Sequence, residues 1–291
     1  MRFGLNTFLL RTGFTDADCD LVDCFKGYGA DVIELAIVEP HLVSPARVSS
    51  ALTCAGLERP ILCGAFGEGR DLRGNYNEVE AAKAYICELI ELASDLGARV
   101  VCGPFYSRTG RTSQHSREER KTQSKAIVRS LKSLCAQAEA AGIVLAMEPL
   151  NRFETDCINT LDQAVELIER VDSPALKIHM DTFHMHIEER DSVAAIYKHA
   201  EHIAHVHASA SHRGLLGQDQ VNWQAVLAAL DAIGYDGDIV IESFSPENQV
   251  IARAASIWRE LYESPEQLAV EGLAFLRANW SLVRSTYGLN V

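Results

Sequence analysis

Short apolar runs alternate with longer amphipathic stretches from one end of the chain to the other. The runs predict strands near Phe3–Thr7, Val32–Ile37, Pro60–Ala65, Arg99–Gly103, Val144–Glu148, Leu176–Asp181, Ile203–Ala208 and Ile239–Phe244. Between them, helical periodicity predicts helices near Asp16–Gly27, Pro45–Ala55, Asn77–Leu96, Arg117–Ala141, Leu161–Val171, Ser192–His199 and Trp223–Ile233, with a last one over about Glu266–Arg284. Thr15-Asp-Ala-Asp18 has the form of a capping box before the first helix. Gly29, Gly56, Gly97, Gly142 and Gly234 stand where helices must stop before the next strand. Eight strand–helix units in 291 residues predict a (β/α)8 barrel, a TIM barrel built as one domain over residues 1–291. The competing architecture, an open doubly wound sheet, usually carries a Gly-rich turn after its first strand, and Asn6-Thr-Phe-Leu9 offers none.

Four of the strand runs end in residues able to bind a metal: Glu148, Asp181, His207 and Glu242. The C-terminal ends of the strands are where a barrel places functional groups. The longer loops also follow strands, at Phe105–Ser116, Pro149–Thr160, Ser209–Asn222 and Ser245–Pro265, so they share that face. Three carboxylates and one imidazole, with no thiolate, suit an octahedral divalent ion such as Mn²⁺, Co²⁺ or Mg²⁺, and four ligands leave about two positions for substrate oxygens. A metal on adjacent sugar oxygens would act as a Lewis acid beside a carbonyl. Glu148 on the fifth strand and Glu242 on the eighth approach a central substrate from different sides, so one could remove a proton and the other return it on the opposite face.

The other histidines divide by position. His179 and His205 share strand faces with Asp181 and His207, and the sequence predicts hydrogen-bonded core residues lower in the barrel. His184, three residues past Asp181, is expected at the pocket mouth as a substrate contact. Arg213, in a Gly-containing loop, could bind a sugar oxygen or a developing negative charge.

Composition narrows the function. With 47% hydrophobic and 23% charged residues the chain is an ordinary globular protein, and no apolar run is long enough to span a bilayer. The opening residues read as a strand rather than a signal peptide, which makes the cytoplasm the expected address. The eight cysteines form no Cys-x-x-Cys pair and are expected as reduced thiols. A net charge of −13 repels a phosphate backbone, so no nucleic-acid partner is expected, and a small neutral substrate is favoured.

Four stretches then carry a family resemblance: Glu148-Pro-Leu-Asn-Arg-Phe-Glu154, Asp181-Thr-Phe-His-Met-His-Ile-Glu-Glu189, His205-Val-His207 with Arg213, and Ile241-Glu242-Ser-Phe244. Together with Val32-Ile-Glu34 they resemble the ketose 3-epimerases, the D-tagatose and D-psicose (D-allulose) 3-epimerase group of the xylose-isomerase-like barrels. The resemblance covers nearly the whole chain. It implies that Glu148, Asp181, His207 and Glu242 bind Mn²⁺ or Co²⁺, and that Glu148 and Glu242 carry the C3 proton through a cis-enediolate. It further implies that Glu154, His184 and Arg213 hold the C1–C2 end of the ketose, that Phe244 and Cys63 lie on or near the pocket wall, and that the chain forms a homo-dimer or homo-tetramer.

The chain departs from that pattern in the loop after the seventh strand, where Ala210 stands for a frequent Glu and Gly217-Gln-Asp219 for a Gly-x-Gly. The missing carboxylate is expected to leave Arg213 freer to pair with an anion. The rival readings are an aldose–ketose isomerase or an inosose (keto-inositol) dehydratase on the same scaffold. From other classes come an endonuclease IV-like nuclease, which the net charge disfavours, and a non-catalytic sugar- or metal-binding barrel.

Overall fold

The structure, a computed structural model, describes residues 1–245, 247 and 249–287. Eight parallel strands close into a barrel in chain order: β1 (Arg2–Asn6), β2 (Val32–Ala36), β3 (Ile61–Cys63), β4 (Val100–Gly103), β5 (Val144–Met147), β6 (Leu176–Asp181), β7 (Ile203–Ala208) and β8 (Asp238–Ile241). The helices are α1 (Asp20–Gly27), α2 (Pro45–Ala55), α3 (Tyr76–Asp95), α4 (Arg117–Ala141), α5 (Leu161–Val171), α6 (Thr182–Glu188), α7 (Ser192–Lys198), α8 (Trp223–Ala232), α9 (Gln249–Ala254) and α10 (Pro265–Tyr287). The (β/α)8 expectation holds, and α2, α4 and α5 have the bounds read from the sequence. Two short helices escaped that reading. One is α6, the stretch carrying His184; the other is α9, inside the loop after the eighth strand.

Local chemistry sets the boundaries. Reciprocal capping boxes open α3 (Asn75 with Glu78), α4 (Ser116 with Glu119) and α5 (Thr160 with Gln163), satisfying amide hydrogens that lack intrahelical partners. The Thr15–Asp18 box forms too, on a 3₁₀ turn just before α1. All five glycines expected to stop helices adopt positive φ.

Side-chain alternation sorts the core into two layers. Ile33, Leu35, Leu62, Val101, Leu145, Ile178, Val206 and Ile239 face the helices, while Val32, Ala36, Ile61, Cys63, Cys102, Ala146 and Val240 fill the barrel interior. The same two-residue period carries Glu34, Glu148, His179, Asp181, His205, His207 and Glu242 inward, all buried. Gly103 shows how tightly the upper rim is built. Its φ is +139° and a Cβ there would lie 1.8 Å from the Gly64 carbonyl oxygen, so only glycine fits. The Gly103 carbonyl in turn accepts the Glu148 amide hydrogen at 3.0 Å, fixing where that side chain leaves the strand.

Candidate metal centre

Ligand atoms of Glu148, Asp181, His207 and Glu242 lie within 4.8 Å of one another at the C-terminal end of the barrel. His207 Nδ1 faces the three carboxylates, 3.9 Å from Glu148 Oε1, 3.7 Å from Asp181 Oδ2 and 3.5 Å from Glu242 Oε2. Both His207 Nδ1 and Glu148 Oε1 are buried without a hydrogen-bond partner. Two orphaned donor-capable atoms aimed at one point, in an oxygen-rich set with one imidazole, fit a divalent cation. His207 Nε2 is hydrogen-bonded to Glu34, the arrangement that orients a metal-ligating imidazole. Cys102, His179, His205 and His207 also converge, but Nε2 of both His205 and His207 is spent on Glu34.

Each member is set by its element. Asp181 ends β6 and caps α6: Oδ1 accepts the amide hydrogens of Phe183 and His184 at 2.6 and 3.3 Å, leaving Oδ2 toward the centre. Ser209 Oγ donates to that Oδ2 at 2.9 Å, and Ser209 itself is tied to Thr182 through both backbone groups. Arg213 Nη1 completes the rim, 3.1 Å from Asp181 Oδ2, 2.8 Å from Ser209 Oγ and 2.9 Å from Glu242 Oε2. The guanidinium lies over the rings of Phe183 and Phe244, 4.2 and 5.0 Å from their centroids.

The charges divide unequally. Burial, reinforced by Glu242, pushes the Glu148 carboxyl well above the usual range. Burial works the same way on Asp181, but Arg213 overrides it and holds that carboxyl well below its usual value. Burial opposes a charge on His207, yet Glu34 and Glu242 raise it well above an ordinary histidine.

The expected substrate contacts have mixed placements. His184 is buried in the first turn of α6. Its Nδ1 accepts the Asn151 amide hydrogen at 3.0 Å, which leaves Nε2 as the N–H end of the neutral ring, and burial lowers its proton affinity. Nε2 stands 3.7 Å from Glu148 Oε1 and 3.3 Å from Arg213 Nη2. Glu154 is half-buried and accepts from Asn151 Nδ2 at 2.7 Å, so Asn151 bridges it to His184; the sequence had not marked Asn151. Phe244 sits beside Arg213 and 6.0 Å from Phe8, centroid to centroid. Cys63 lies in the barrel interior, in one apolar cluster with Phe8 and Phe244.

Two expectations are corrected. His205 is the hydrogen-bonded core residue foreseen, but neither ring nitrogen of His179 has a hydrogen-bond partner; it stands edge-on to His207 at 4.0 Å between centroids. Arg213 is not freer for lack of an acid at Ala210, because Asp181 and Glu242 already engage it. Asp219 organises its loop instead, accepting from the amides of Gly217 and Val221 at 2.9 and 2.7 Å and from Trp223 Nε1 at 2.9 Å.

Comparisons with known proteins agree with this geometry. The xylose isomerase-like TIM barrel family matches residues 22–279. An L-ribulose 3-epimerase from Mesorhizobium japonicum is 34% identical over 94% of this chain and 93% of its own length. A ketose 3-epimerase from Arthrobacter globiformis is 32% identical over 88% of this chain and 89% of its own. Among solved structures, an L-ribulose 3-epimerase superposes with a TM-score of 0.91 at 30% identity, covering 98% of this chain and 96% of that one.

Proposed function

This chain belongs to the xylose isomerase-like TIM barrel family and, within it, to the ketose 3-epimerases, and from that premise we propose how its residues invert C3 of a free ketose. It is an enzyme of the isomerase class. The observation that carries the reading is the convergence of Glu148 and Glu242, from β5 and β8, within one buried quartet. The aldose–ketose isomerase, dehydratase and nuclease readings draw no support from the relatives named above.

Glu148, Asp181, His207 and Glu242 hold a divalent ion, Mn²⁺ or Co²⁺ before Mg²⁺. When bound, that ion polarises the ketose carbonyl and eases loss of the adjacent proton. The proton itself is moved by the chain. One of the two glutamates takes it from C3 and the other supplies one to the opposite face. His184 Nε2 and Arg213 Nη2, 3.3 Å apart at the edge of the quartet, bind sugar oxygens of the substrate. Glu154 accepts from a hydroxyl, and Phe244 with Cys63 forms apolar wall. The chain works as a single-domain homo-dimer or homo-tetramer in the cytoplasm, on unphosphorylated sugar.

NMR of D-tagatose, D-fructose, D-psicose and L-ribulose, incubated with enzyme and Mn²⁺ in D₂O, tests this. Deuterium at C3 with the C3 epimer is the expected product. Deuterium at C1 with an aldose would make the chain an isomerase of the other kind, and no exchange on any ketose would overturn the reading.

A further inference from the structure

Glu34 lies on β2 with its side chain wholly inside the barrel, and β2 does not neighbour β7 in the closed sheet. Its carboxylate nevertheless reaches across the interior to two successive inward positions of β7. Oε2 is 2.6 Å from His205 Nε2, and Oε1 is 2.7 Å from His207 Nε2. Asn6, opposite Glu34 in the β1–β2 register, donates to Oε1 at 2.5 Å, and the Cys102 thiol approaches Oε2 at 3.4 Å. Each oxygen therefore serves one imidazole and one further donor. Nothing in the reaction described above uses this group.

We propose that Glu34 is the positioning residue of the metal centre, holding His207 in the one tautomer whose Nδ1 lone pair faces the three carboxylates. The proposal rests on the metal reading of the quartet. A neutral imidazole has a single N–H; with that hydrogen committed to Glu34 from Nε2, Nδ1 is left as the electron-pair donor. The number of acceptors is what matters. A carboxylate accepts on both oxygens and so satisfies both histidines, whereas a carboxamide of the same shape presents one acceptor and one donor. In Glu34→Gln, His205 and His207 compete for a single oxygen. The loser faces an N–H with its own N–H, or moves its hydrogen to Nδ1. For His207 that hydrogen would sit on the atom aimed at the metal.

His205 is thus the competitor, and removing it restores His207. The test titrates the metal-stripped full-length chain with Co²⁺, following the visible absorption of the bound ion and the heat of binding. Glu34→Gln is expected to weaken Co²⁺ binding by about 10- to 100-fold, the usual effect of losing such a partner, with far-UV circular dichroism unchanged. Glu34→Gln/His205→Phe is expected to regain most of that loss, because the amide oxygen is then free for His207 alone. A general loss of packing would instead make the double variant worse than the single one. Long-range ¹H–¹⁵N spectra of the unmutated chain loaded with Zn²⁺ give a reading that needs no variant: His207 should show Nε2–H. Equal Co²⁺ affinity in parent and Glu34→Gln, a double variant no tighter than the single, or an Nδ1–H pattern would each overturn the proposal. A parent chain that takes up no Co²⁺ would overturn the metal reading and this proposal with it.

Discussion

Glu148 and Asp181 are both buried carboxyls of one centre, and they differ because Arg213 is hydrogen-bonded to Asp181 while Glu148 has Glu242 for company. Each glutamate is therefore expected to be indispensable for a separate half of the exchange. Glu148→Gln and Glu242→Gln should each lower kcat by at least about 10²- to 10⁴-fold, with weaker metal binding, as steady-state assays and metal analysis would show. Robust turnover in either variant would sink the two-base mechanism. His184 makes no approach to the His207 imidazole comparable to its contacts with Asn151 and Arg213. His184→Ala should therefore raise KM and lower kcat while metal content stays near that of the parent, and loss of metal would show that it belongs to the metal set. At this scale the sequence was informative about which side chains converge, since each of the four ends or follows an apolar strand run. It was silent on Asn151 and Ser209, ordinary loop residues until the fold sets them against His184 and Asp181.

Elements decide how firmly those residues are held. The loop between β7 and α8 carries Arg213 at a φ of +62° and Gly217 at +81°, and a Cβ on Gly217 would lie 2.3 Å from the Phe275 ring. Asp219 gathers four N–H groups of that loop and its helix onto one carboxylate, those of Ser211, Gly217, Val221 and the Trp223 indole. Asp219→Ala should therefore cost about 1–3 kcal/mol, from donors left without partners. Thermal unfolding would measure the loss, and altered Trp223 fluorescence would locate it. An unchanged Tm would mean that water replaces the carboxylate without penalty. The departure at Asp219 from the Gly-x-Gly pattern is thus built into the loop's own construction. Helix α6 was missed for a similar reason. Its seven residues are too few for periodicity to stand out, and its cap, Asp181, already reads as a strand end and a metal ligand.

Over the whole molecule, the buried centre couples pH to stability. Glu148 and His207 bind protons more tightly folded than at their ordinary values of 4.5 and 6.5. Such groups contribute stability that is full below the unfolded value and lost as the pH rises through the folded one. Asp181 and Glu34, held low by Arg213 and by the two histidines against the pull of burial, contribute in the opposite sense and lose their share only as the pH falls. Metal-free protein should therefore melt at progressively lower temperature as the pH rises above about 6.5, the ordinary histidine value that folded His207 exceeds. Metal takes the place of those protons, so the rise in Tm produced by Mn²⁺ should grow over the same range. Scanning fluorimetry in EDTA and in Mn²⁺ would measure both, and a metal-free Tm that climbs with pH would contradict the assignment. Among the described residues no helix is long and apolar enough to cross a membrane.

The sequence by itself determined the barrel and which four side chains its strand ends bring together, because both rest on local rules. Strand period, helix period and the caps between them need only neighbours along the chain, and a ligand that follows a strand inherits its position from that strand. Only the tertiary structure decided what the ligands are held by. Glu34 meets His205 and His207 across a closed barrel, Arg213 meets Asp181 and Glu242 from a separate loop, and His179 is left between two imidazoles with no partner. Those meetings depend on closure and register among strands far apart in the chain, and there the electrostatics of a buried site are set.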